Sequence, residues 1–459
     1  MITKNQEKIH TVQGIKIGYT DKKITSYGGF SLLGKFFEKI ELQEHLNQIM
    51  PMEELSPNAM APASKLMGFM TLAIAGASRF SHMLYLGHPE CIKEVFGLER
   101  LPLAGTTLTR YFNKIKTMLQ ANQVSDSAWK YIKKIVNWDD IKEDWLRFDS
   151  TVITRYGNQE GAKKGYHPKK KGRPAHHPIL AFLNSGRIVI DIWNRAGDTC
   201  SSNNILPFFE KVYNRLIGVI NIKGILADAG FYDLAFIKSI ESKGLTYIIT
   251  ARLYYSVQSK IYSLKNWQAV EAGIWVSEFE FQHDAWDKKY RYVVIRQSIK
   301  QKKNPLGKQL KLFETDDESN GYRYGIWITN LDEEAVSVWR TIRRRANDEN
   351  VIKELKEDLA LSGFVMQGFF ATEAAFSIRV LLYNLLLVFR TIFLPEKEQN
   401  HRISTLRFKY FTIPAHLGRS STGKWLRLST FPKKLQQKIQ SILDSIQQFS
   451  LPNLQLHCI

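Results

Sequence analysis

The chain has 459 residues, a length that suggests two to four packed units rather than one ordinary core. Its 64 Lys and Arg residues outnumber its 44 Asp and Glu residues, and the formal charge of +20 points to a polyanionic partner. Because 44% of the residues are hydrophobic and 12% are aromatic, this charge is not that of a disordered basic tail. Cys91, Cys200 and Cys458 lack Cys-x-x-Cys spacing, which argues against a disulfide scaffold and a cysteine zinc site.

The beginning of the chain predicts neither a signal peptide nor a membrane anchor. Residues Met1 to Gly14 have no apolar core, and the longest apolar stretches, Leu66–Ala77 and Val380–Phe389, are shorter than the roughly 20 residues that cross a bilayer. We therefore expect a protein of a reducing, cytoplasmic compartment without a membrane partner.

The N-terminal third has the spacing of helices. Apolar residues recur at helical intervals between residues 30 and 135, so we predict an all-helical N-terminal domain over residues 1–140. Within it, Pro102–Ile115 has a Gly-containing turn, a Thr cap and a basic helix. This pattern fits a helix-turn-helix that binds DNA ends, and it equally fits an ordinary helical hairpin.

The period changes to that of strands after Asp144. Leu146–Ile153 alternates, and a turn at 184–186 separates two further apolar strands. A helix, a strand, a second helix and a fifth strand follow up to Thr250. The order β-β-β-α-β-α-β predicts an α/β fold with a ribonuclease H-like mixed sheet, whose first part covers residues 141–252.

Three regions complete the predicted organisation. Residues 253–321, rich in Trp and alternating Tyr and Val, predict a β-rich insertion. Residues 322–395 predict the last part of the core, with one long helix over Glu334–Leu361 and an apolar helix over Phe370–Phe393. Residues 396–459 form a basic C-terminal region, in which Gln399–Leu435 holds eight Lys or Arg residues and no Asp or Glu.

Two aspartates occupy strands that should be neighbours. Asp149 lies in the first strand, and Asp228 ends the fourth strand directly after Ile225-Leu226-Ala227. An acid at the end of a buried strand is costly unless it binds a cation or accepts hydrogen bonds. Each aspartate alone also fits a turn or a helix cap. Their placement on adjacent strands predicts instead that both carboxylates converge.

A third acidic residue lies in the predicted long helix. Arg345, Glu349 and Lys356 have the spacing that puts them along one helical face, which suits a metal-binding glutamate between two cations. A solvated Arg-Glu-Lys surface face has the same spacing. Glu354 is about 140° round an ideal helix from Glu349 and should face away from it.

Together these segments resemble a known family. Phe148-Asp149-Ser150-Thr151, Leu226-Ala-Asp228-Ala-Gly-Phe231 and Arg345-Ala-Asn-Asp-Glu349-Asn-Val-Ile-Lys-Glu-Leu-Lys356 resemble the three acidic motifs of bacterial insertion-sequence DDE transposases, in particular transposase DDE domain group 1. The last segment matches an Arg-x3-Glu-x6-Lys signature, with Ile342 where that signature begins with Tyr. Asn384 and the 161–174 segment also resemble this group. The resemblance implies that the long spacing between Asp228 and Glu349 holds the β-rich insertion.

The resemblance implies metal-dependent DNA cleavage and strand transfer. Asp149, Asp228 and Glu349 would be catalytic and would hold two Mg²⁺ ions, with Mn²⁺ as a substitute, while Arg345 and Lys356 would contact phosphates at the scissile bond. Two such ions activate the nucleophile and neutralise the leaving oxygen, and hard carboxylate oxygens suffice as ligands. Adjacent strand residues point to opposite faces, so we do not expect His176 and His177 to share a metal.

Further DNA contacts are expected outside the acidic motifs. No Asp or Glu lies between Gly161 and Pro174, and this basic loop can follow a DNA backbone or simply face solvent. One tryptophan, Trp286, lies in a polar turn and is a candidate for stacking on an unstacked base. The loop residues expected to bind DNA are Lys163, Lys164, Lys169, Lys170, Lys171 and Arg173.

The sequence thus predicts a transposase that binds terminal inverted repeats, cleaves the element ends as a metal-dependent endonuclease and joins 3′ hydroxyls to target DNA. Its partner would be double-stranded DNA, and pairing of two ends implies a homodimer. The resemblance implies a bacterial protein, associated with the nucleoid when bound to DNA. The alternatives are a ribonuclease H-like nuclease or resolvase without strand transfer, and a domesticated DNA-binding regulator, against which the presence of all three acids argues.

Overall fold

The computed structural model describes residues 10–54, 56–167, 170–299, 321–344, 349–430 and 432–451, with the backbone only of Arg344 and Glu349. The strands are β1 His10–Val12, β2 Ile15–Ile17, β3 Ile24–Thr25, β4 Glu143–Ser150, β5 Ile153–Thr154, β6 Lys163–Lys164, β7 Pro174–His176, β8 Ile179–Leu183, β9 Val189–Trp193, β10 Asn221–Ala227, β11 Thr246–Thr250, β12 Gln268–Glu271, β13 Ile274–Phe281, β14 Tyr290–Ser298, β15 Tyr322–Thr329, β16 Ala415–Ser420 and β17 Gly423–Leu428. The α-helices are α1 Phe30–Lys39, α2 Leu42–Gln48, α3 Pro62–Ile74, α4 Pro89–Val95, α5 Gly105–Phe112, α6 Met118–Ile135, α7 Ile205–Leu216, α8 Leu234–Ser242, α9 Tyr255–Tyr262, α10 Ala335–Arg344, α11 Glu349–Lys353, α12 Phe369–Phe393, α13 Glu396–Gln399, α14 Ile403–Leu406 and α15 Lys433–Gln448.

A large mixed sheet forms the centre of the α/β fold. Five of its strands lie in the order β9-β8-β4-β10-β11, with β8 antiparallel to β4 and β9, and β10 parallel to β4 and β11. Helix α7 connects β9 to β10, and α8 connects β10 to β11. This order is the one that the β-β-β-α-β-α-β pattern predicted, because each crossover helix returns the chain to a strand parallel to a neighbour.

The predicted β-rich insertion continues this sheet instead of forming a sheet of its own. In the described part of the chain the order extends as β11-β15-β14-β13-β12, and all four of these junctions are antiparallel. Thr329 of β15 pairs with Ile248 of β11 on one side and with Arg291 of β14 on the other. Strands β12 to β14 are therefore fixed rigidly to the strand that follows Asp228.

The N-terminal region is not all-helical, which corrects the sequence prediction. Helices α1 to α6 occupy residues 30–135 as predicted, but β1, β2 and β3 precede them. Strand β3 pairs with β16 near the other end of the chain, where Thr25 faces Ala415, and Gly28 N–H donates to the carbonyl of Ile413 at 2.7 Å. A Cβ on Gly28 would lie 2.3 Å from that of Ala415, so this approach requires glycine. Local periodicity cannot reveal a pairing across almost 400 residues.

Helix α12 is a core helix that packs against both the N-terminal helices and the central sheet. Of the described helices, α12 is long and apolar enough to cross a membrane, but most of it is buried inside the protein against α3, α6 and β9. Asn384, which the family resemblance includes, accepts from the backbone N–H of Val189 at 3.0 Å and donates to its carbonyl at 2.8 Å. This side chain therefore fastens α12 to β9 through two buried hydrogen bonds.

The predicted long helix over residues 334–361 does not continue as one α-helix. Within the described residues, α10 covers Ala335–Arg344, α11 covers Glu349–Lys353, and a π-helical turn, Glu354–Asp358, replaces the α-helix after Lys353. In that turn Leu359 N–H donates to the Glu354 carbonyl, five residues back, at 2.9 Å. Because a π turn is wider than an α turn, ideal helical angles do not hold beyond Lys353.

One buried acid in α12 predicts a pH-dependent stability. Glu373 accepts from the backbone N–H of Asn194 at 2.9 Å, and burial raises its pKa from 4.5 to about 8. The folded protein therefore binds this proton more tightly than the unfolded chain does. The free energy of unfolding should fall by up to about 1.4 kcal/mol per pH unit as the pH rises from about 4.5 toward about 8.

Glu373→Gln should remove this decrease, since the amide resembles the neutral carboxyl group. Urea unfolding from pH 5 to 8 measures the free energy for wild type, Glu373→Gln and the exposed control Glu38→Gln. We expect the control to follow wild type and Glu373→Gln to give the flatter curve. Identical slopes for all three proteins would show that Glu373 does not titrate in this range.

Candidate active site

Asp149 lies near the carboxyl end of the central strand β4. It pairs with Leu180 of β8, and 24% of its side chain is exposed. Its Oδ1 accepts from the Ser150 N–H at 2.7 Å, and its Oδ2 lies 3.9 Å from Nη2 of Arg147. Arg147 and Asp149 share one face of the strand, as the period of two predicted. A positive charge thus stands beside a carboxylate that solvent can reach.

Asp228 is the first residue after the buried strand β10. It caps a short 3₁₀ turn, Ala229–Phe231, and its Oδ1 accepts from the Gly230 N–H at 2.9 Å. A Cβ on Gly230 would lie 2.5 Å from Oγ of Ser201, so the turn packs closely only with glycine at this position. The turn holds the Asp228 carboxylate at the end of the strand.

The two aspartates stand next to each other on neighbouring strands. Strands β4 and β10 are parallel and hydrogen-bonded, with Ala227 opposite Phe148, so the next position brings Asp228 beside Asp149. The backbone of Asp228 remains extended, with φ −84° and ψ 178°. Adjacent parallel strands lie about 4.8 Å apart and residues in register share a face, so both carboxylates lie on one face at one edge.

Lys356 brings the third motif to the segment that directly follows β4. Its Nζ donates to Oγ1 of Thr151 at 2.9 Å and to the carbonyl of Val152 at 3.1 Å, two and three residues beyond Asp149. Glu349 is the first described residue of α11, and the π turn begins five residues later at Glu354. Its side chain and all of Arg345 lie outside the described residues, so their predicted roles stay predictions.

Sequence reasoning missed a histidine that contacts the residue after Asp149. His177 Nε2 lies 3.1 Å from Oγ of Ser150, and its Nδ1 lies 2.8 Å from the Thr199 carbonyl. Burial lowers the pKa of His177, while the Thr199 carbonyl and the Asp149 carboxylate act in the opposite direction. A carbonyl can only accept, so neutral His177 carries its proton on Nδ1 and accepts from the Ser150 hydroxyl.

Its neighbour His176 points elsewhere, as the strand period predicted. His176 is fully buried, accepts from Nε of Arg155 at 3.1 Å and lies 2.9 Å from the Glu160 carbonyl. Among the described side chains no group of three or more His, Cys, Asp or Glu residues could hold a metal ion. The described carboxylates that meet at the strand edge are Asp149 and Asp228.

A buried arginine fixes the loop that covers this edge. Arg195 donates through Nε to the His177 carbonyl at 2.9 Å and through Nη1 to the carbonyls of Ser201 and Asn203, each at 2.9 Å. Burial lowers the pKa of Arg195 to about 10, and the charges of Cys200 and Asp228 oppose this shift. Arg195 is the second residue after β9, and strand periodicity gave no signal for this role.

The predicted basic loop begins at Gly161, after β5. Strand β5 follows β4, and the small sheet β5-β7-β6 carries the loop at its edge. Lys163 lies 3.2 Å from the Asp198 carboxylate, and Lys170 donates to the Tyr156 hydroxyl at 2.5 Å. The exposed basic residues of this loop are Lys163, Lys164, Lys170, Lys171 and Arg173, while Lys169 lies outside the described residues.

Trp286 lies on the Asp228 side of the sheet within an aromatic cluster. Its ring centroid is 5.3 Å from that of Tyr232, 5.0 Å from that of His283 and 4.9 Å from that of Tyr290. The indole is half-buried. Part of the Trp286 ring therefore packs against the cluster, and part faces solvent.

A cavity lies at the start of β4, and Asn350, the residue after Glu349, is part of its lining. Its volume is about 620 Å³, and residues at the start of β4, Glu143, Asp144 and Trp145, line it together with Ser185. Asp144 accepts from the N–H groups of Ser185 and Gly186, which fixes the β8–β9 turn. Because Asp149 lies near the other end of β4, the cavity is separated from Asp149 by the length of this strand.

Comparison with known proteins agrees with these motifs. Residues 8–451 match the family described as transposase DDE domain group 1. The chain belongs to this family. The match confirms the resemblance on which the sequence assignment rests, and it covers the N-terminal helices as well as the sheet.

No curated protein matches this transposase-family chain. Among solved structures, it is similar to a cryo-EM structure of a piggyBac transposase synaptic complex with hairpin DNA. The two chains are 9% identical and give a TM-score of 0.42, over 90% of this chain and 85% of the other.

Proposed function

We propose that this transposase-family chain binds the terminal inverted repeats of an insertion sequence, cleaves at the element ends and joins the 3′ hydroxyls to target DNA. The observation that carries the proposal is the meeting of three motifs at one strand edge. Asp149 and Asp228 occupy neighbouring positions on parallel strands, and Lys356 donates to Thr151 and Val152 directly beyond Asp149.

The donor set supports binding of a hard divalent cation. Asp149 and Asp228 contribute carboxylate oxygens, each oriented by one backbone N–H, and Mg²⁺ prefers such ligands together with water and phosphate. With Glu349 as the proposed third ligand, two Mg²⁺ ions, or Mn²⁺ in their place, would activate the nucleophile and stabilise the leaving oxygen. The chain itself holds these carboxylates in place before any DNA arrives.

Cations around the edge suit a DNA backbone. Lys356 contacts Thr151 and Val152 just after Asp149, and strands β6 and β7, which join the small sheet with β5, carry the basic loop. Arg345 is proposed to contact the same phosphate region as Lys356. Phosphate contacts of this kind position a duplex without reading its sequence. Trp286 is proposed to contact an unstacked base near the cut with the part of its ring that faces solvent. The active assembly would be a homodimer holding two ends, in the cytoplasm of a bacterium.

The test uses the full chain with DNA that carries the element's own flanking sequences and a supercoiled target plasmid. In Mg²⁺ we expect cuts at both element ends and products in which an element 3′ end is covalently joined to the plasmid. Sequencing of the junctions should show the same element terminus in every product. Joined products should disappear when a chelator is added.

Two outcomes would favour the alternatives. Cut ends without any joined product would support a nuclease or resolvase that does not transfer strands. Specific binding with no cleavage in Mg²⁺ or Mn²⁺ would support a DNA-binding regulator. In either case the position of the bound or cut DNA still shows which sequence the chain recognises.

A further inference from the structure

A two-stranded ribbon near the C-terminus projects from the body of the protein. Strands β16 and β17 pair over six residues each and are joined by the turn Ser421-Thr422, and we name β16, this turn and β17 the C-terminal ribbon. At its base, Ala415 and His416 pair with β3. Among the described residues no strand pairs with the ribbon beyond Leu417. Its outer half contacts the protein through Lys424 and Glu94 of α4.

The ribbon has two different faces. Its inner face carries Ala415, Leu417, Leu426 and Leu428, which are buried or half-buried. The outer face carries His416, Gly418, Trp425 and Arg427, and its large side chains are exposed. Arg419 and Lys424 continue the row of the inner face toward the turn, where both are exposed. The alternation anchors one side on the protein and leaves the other to a partner.

The exposed tryptophan is held in a fixed orientation. Trp425 is 51% exposed, stands opposite Gly418 and donates through its indole N–H to Oγ of Ser420 at 2.6 Å. Because its polar group already has a partner, the ring offers an apolar surface that no described part of this chain covers. Rings held in this way serve as rigid contact surfaces at interfaces.

The charge of the ribbon is unbalanced on the protein itself. Arg419 and Lys424 stand directly opposite each other, a like-charge pair that is unfavourable across two strands. Glu94 of α4 lies 2.7 Å from Lys424 and compensates that residue alone. Among the described residues no ion pair involves Arg419 or Arg427. An external anion would therefore stabilise the ribbon tip.

Four other cations of the basic C-terminal region are used within the fold. Arg402 forms ion pairs with Glu357 at 2.9 Å and Asp358 at 2.7 Å, and Arg407 donates to the backbone carbonyls of Ile74 and Asp358. Lys409 and Lys438 both pair with Glu398. The structure thus distinguishes these four paired cations from Arg419 and Arg427, a distinction that sequence composition could not make.

We propose that the C-terminal ribbon is a second DNA-binding site that places Trp425 of its outer face in the major groove of a duplex. Two arginines contact the phosphates that flank the groove: Arg427 on the same face as Trp425, and Arg419, which is exposed near the turn on the opposite face. The major groove is about 12 Å wide and admits a two-stranded ribbon, whose strands lie about 4.8 Å apart. The inference rests on the proposed function in so far as DNA is the substrate. In this proposal the ribbon holds a stretch of duplex DNA that lies away from the cleaved bond.

The test measures binding of the full chain to a labelled 40-base-pair duplex of random sequence between 50 and 300 mM KCl. The double variant Arg419→Gln/Arg427→Gln should lower the slope of log affinity against log salt by roughly 1.8, at about 0.9 per lost phosphate contact. At 100 mM salt the affinity should fall on the order of 10- to 100-fold by the same relation. Trp425→Ala should weaken binding without changing the slope, because an apolar contact releases no counterions.

Two matched variants separate this site from the loss of net charge. Lys130→Gln/Lys133→Gln removes two charges from exposed positions of α6 and should leave the slope unchanged, and Arg419→Lys/Arg427→Lys should keep most of it. A ribbon double variant that behaves like the α6 variant would overturn the phosphate contacts. Unchanged affinity of Trp425→Ala would overturn the groove placement.

Wild-type cleavage separates failure of this inference from failure of the proposed function. If wild type binds through the ribbon but never cuts element ends in Mg²⁺, the ribbon assignment stands and the transposase activity does not. If wild type cuts and joins ends while the ribbon variants bind as wild type does, the ribbon assignment fails alone.

Discussion

Asp149→Asn and Asp228→Asn should each slow single-turnover cleavage of a bound element end by roughly 10³-fold or more, with DNA binding nearly unchanged. Each change removes the charge that a divalent cation needs, and a 10³-fold loss corresponds to about 4 kcal/mol of transition-state stabilisation. Asparagine keeps the shape of the side chain and can still accept from Ser150 N–H or Gly230 N–H. Neither strand should therefore be disturbed.

The double variant makes this prediction sharper. If the two carboxylates act as one unit, Asp149→Asn/Asp228→Asn should be no slower than the slower single variant, because the effects of groups that act together are not additive. Asp139→Asn, an exposed acid in the turn before β4, is the matched control and should cleave as wild type does. Near wild-type cleavage by either single variant would remove that aspartate from the site.

The adjacency of these aspartates could be predicted from the sequence because it depends on strand order. A strand, a crossover helix and a parallel strand follow a fixed handedness, so local patterns were enough to place β10 beside β4. The same patterns predicted the two crossover helices and the fifth strand, which ends at Thr250 in the structure as well. Strand order also puts Asp149 and Asp228 at one edge without any knowledge of side-chain contacts.

What the sequence could not predict depends on contacts between distant segments. The pairing of β3 with β16 joins the two ends of the chain, so no local window contains it. The carbonyls that Arg195 holds also belong to a loop with no regular period. The uncompensated ribbon arginines differ from the paired Arg402 only in their three-dimensional neighbours.

Glu354 shows most clearly that sequence spacing alone does not reveal the role of a residue. Spacing from Glu349 predicted that it faces away, but not what it meets there. In the structure Glu354 and Arg390 of α12 form an ion pair at 2.8 Å in which both side chains are 1% exposed. Glu354 starts the π turn, which orients it toward α12 while Lys356 reaches Thr151. A glutamate in an apparent surface pattern is thus part of the core.

Glu354→Gln should therefore cost about 3–5 kcal/mol of unfolding free energy, because it leaves the Arg390 charge buried without its partner. Nε and Nη2 of Arg390 have no hydrogen-bond partner among the described residues. Nη1 would keep only the neutral His401 carbonyl, which cannot balance the charge. Glu357→Gln is the matched control on the same turn: its side chain is 58% exposed, and loss of its pair with Arg402 should cost no more than about 1 kcal/mol.

Comparison with Glu349→Gln decides the register of the third motif. We expect Glu349→Gln to unfold as wild type does and to lose cleavage, and Glu354→Gln to be unstable but to cleave at a near wild-type rate per folded molecule. Urea unfolding and single-turnover cleavage at a temperature where every variant is folded measure the two properties separately. A Glu354→Gln variant that is stable yet inactive, beside an active Glu349→Gln variant, would move the catalytic glutamate by five residues. Glu354 would then have to leave Arg390 to reach Asp149 and Asp228.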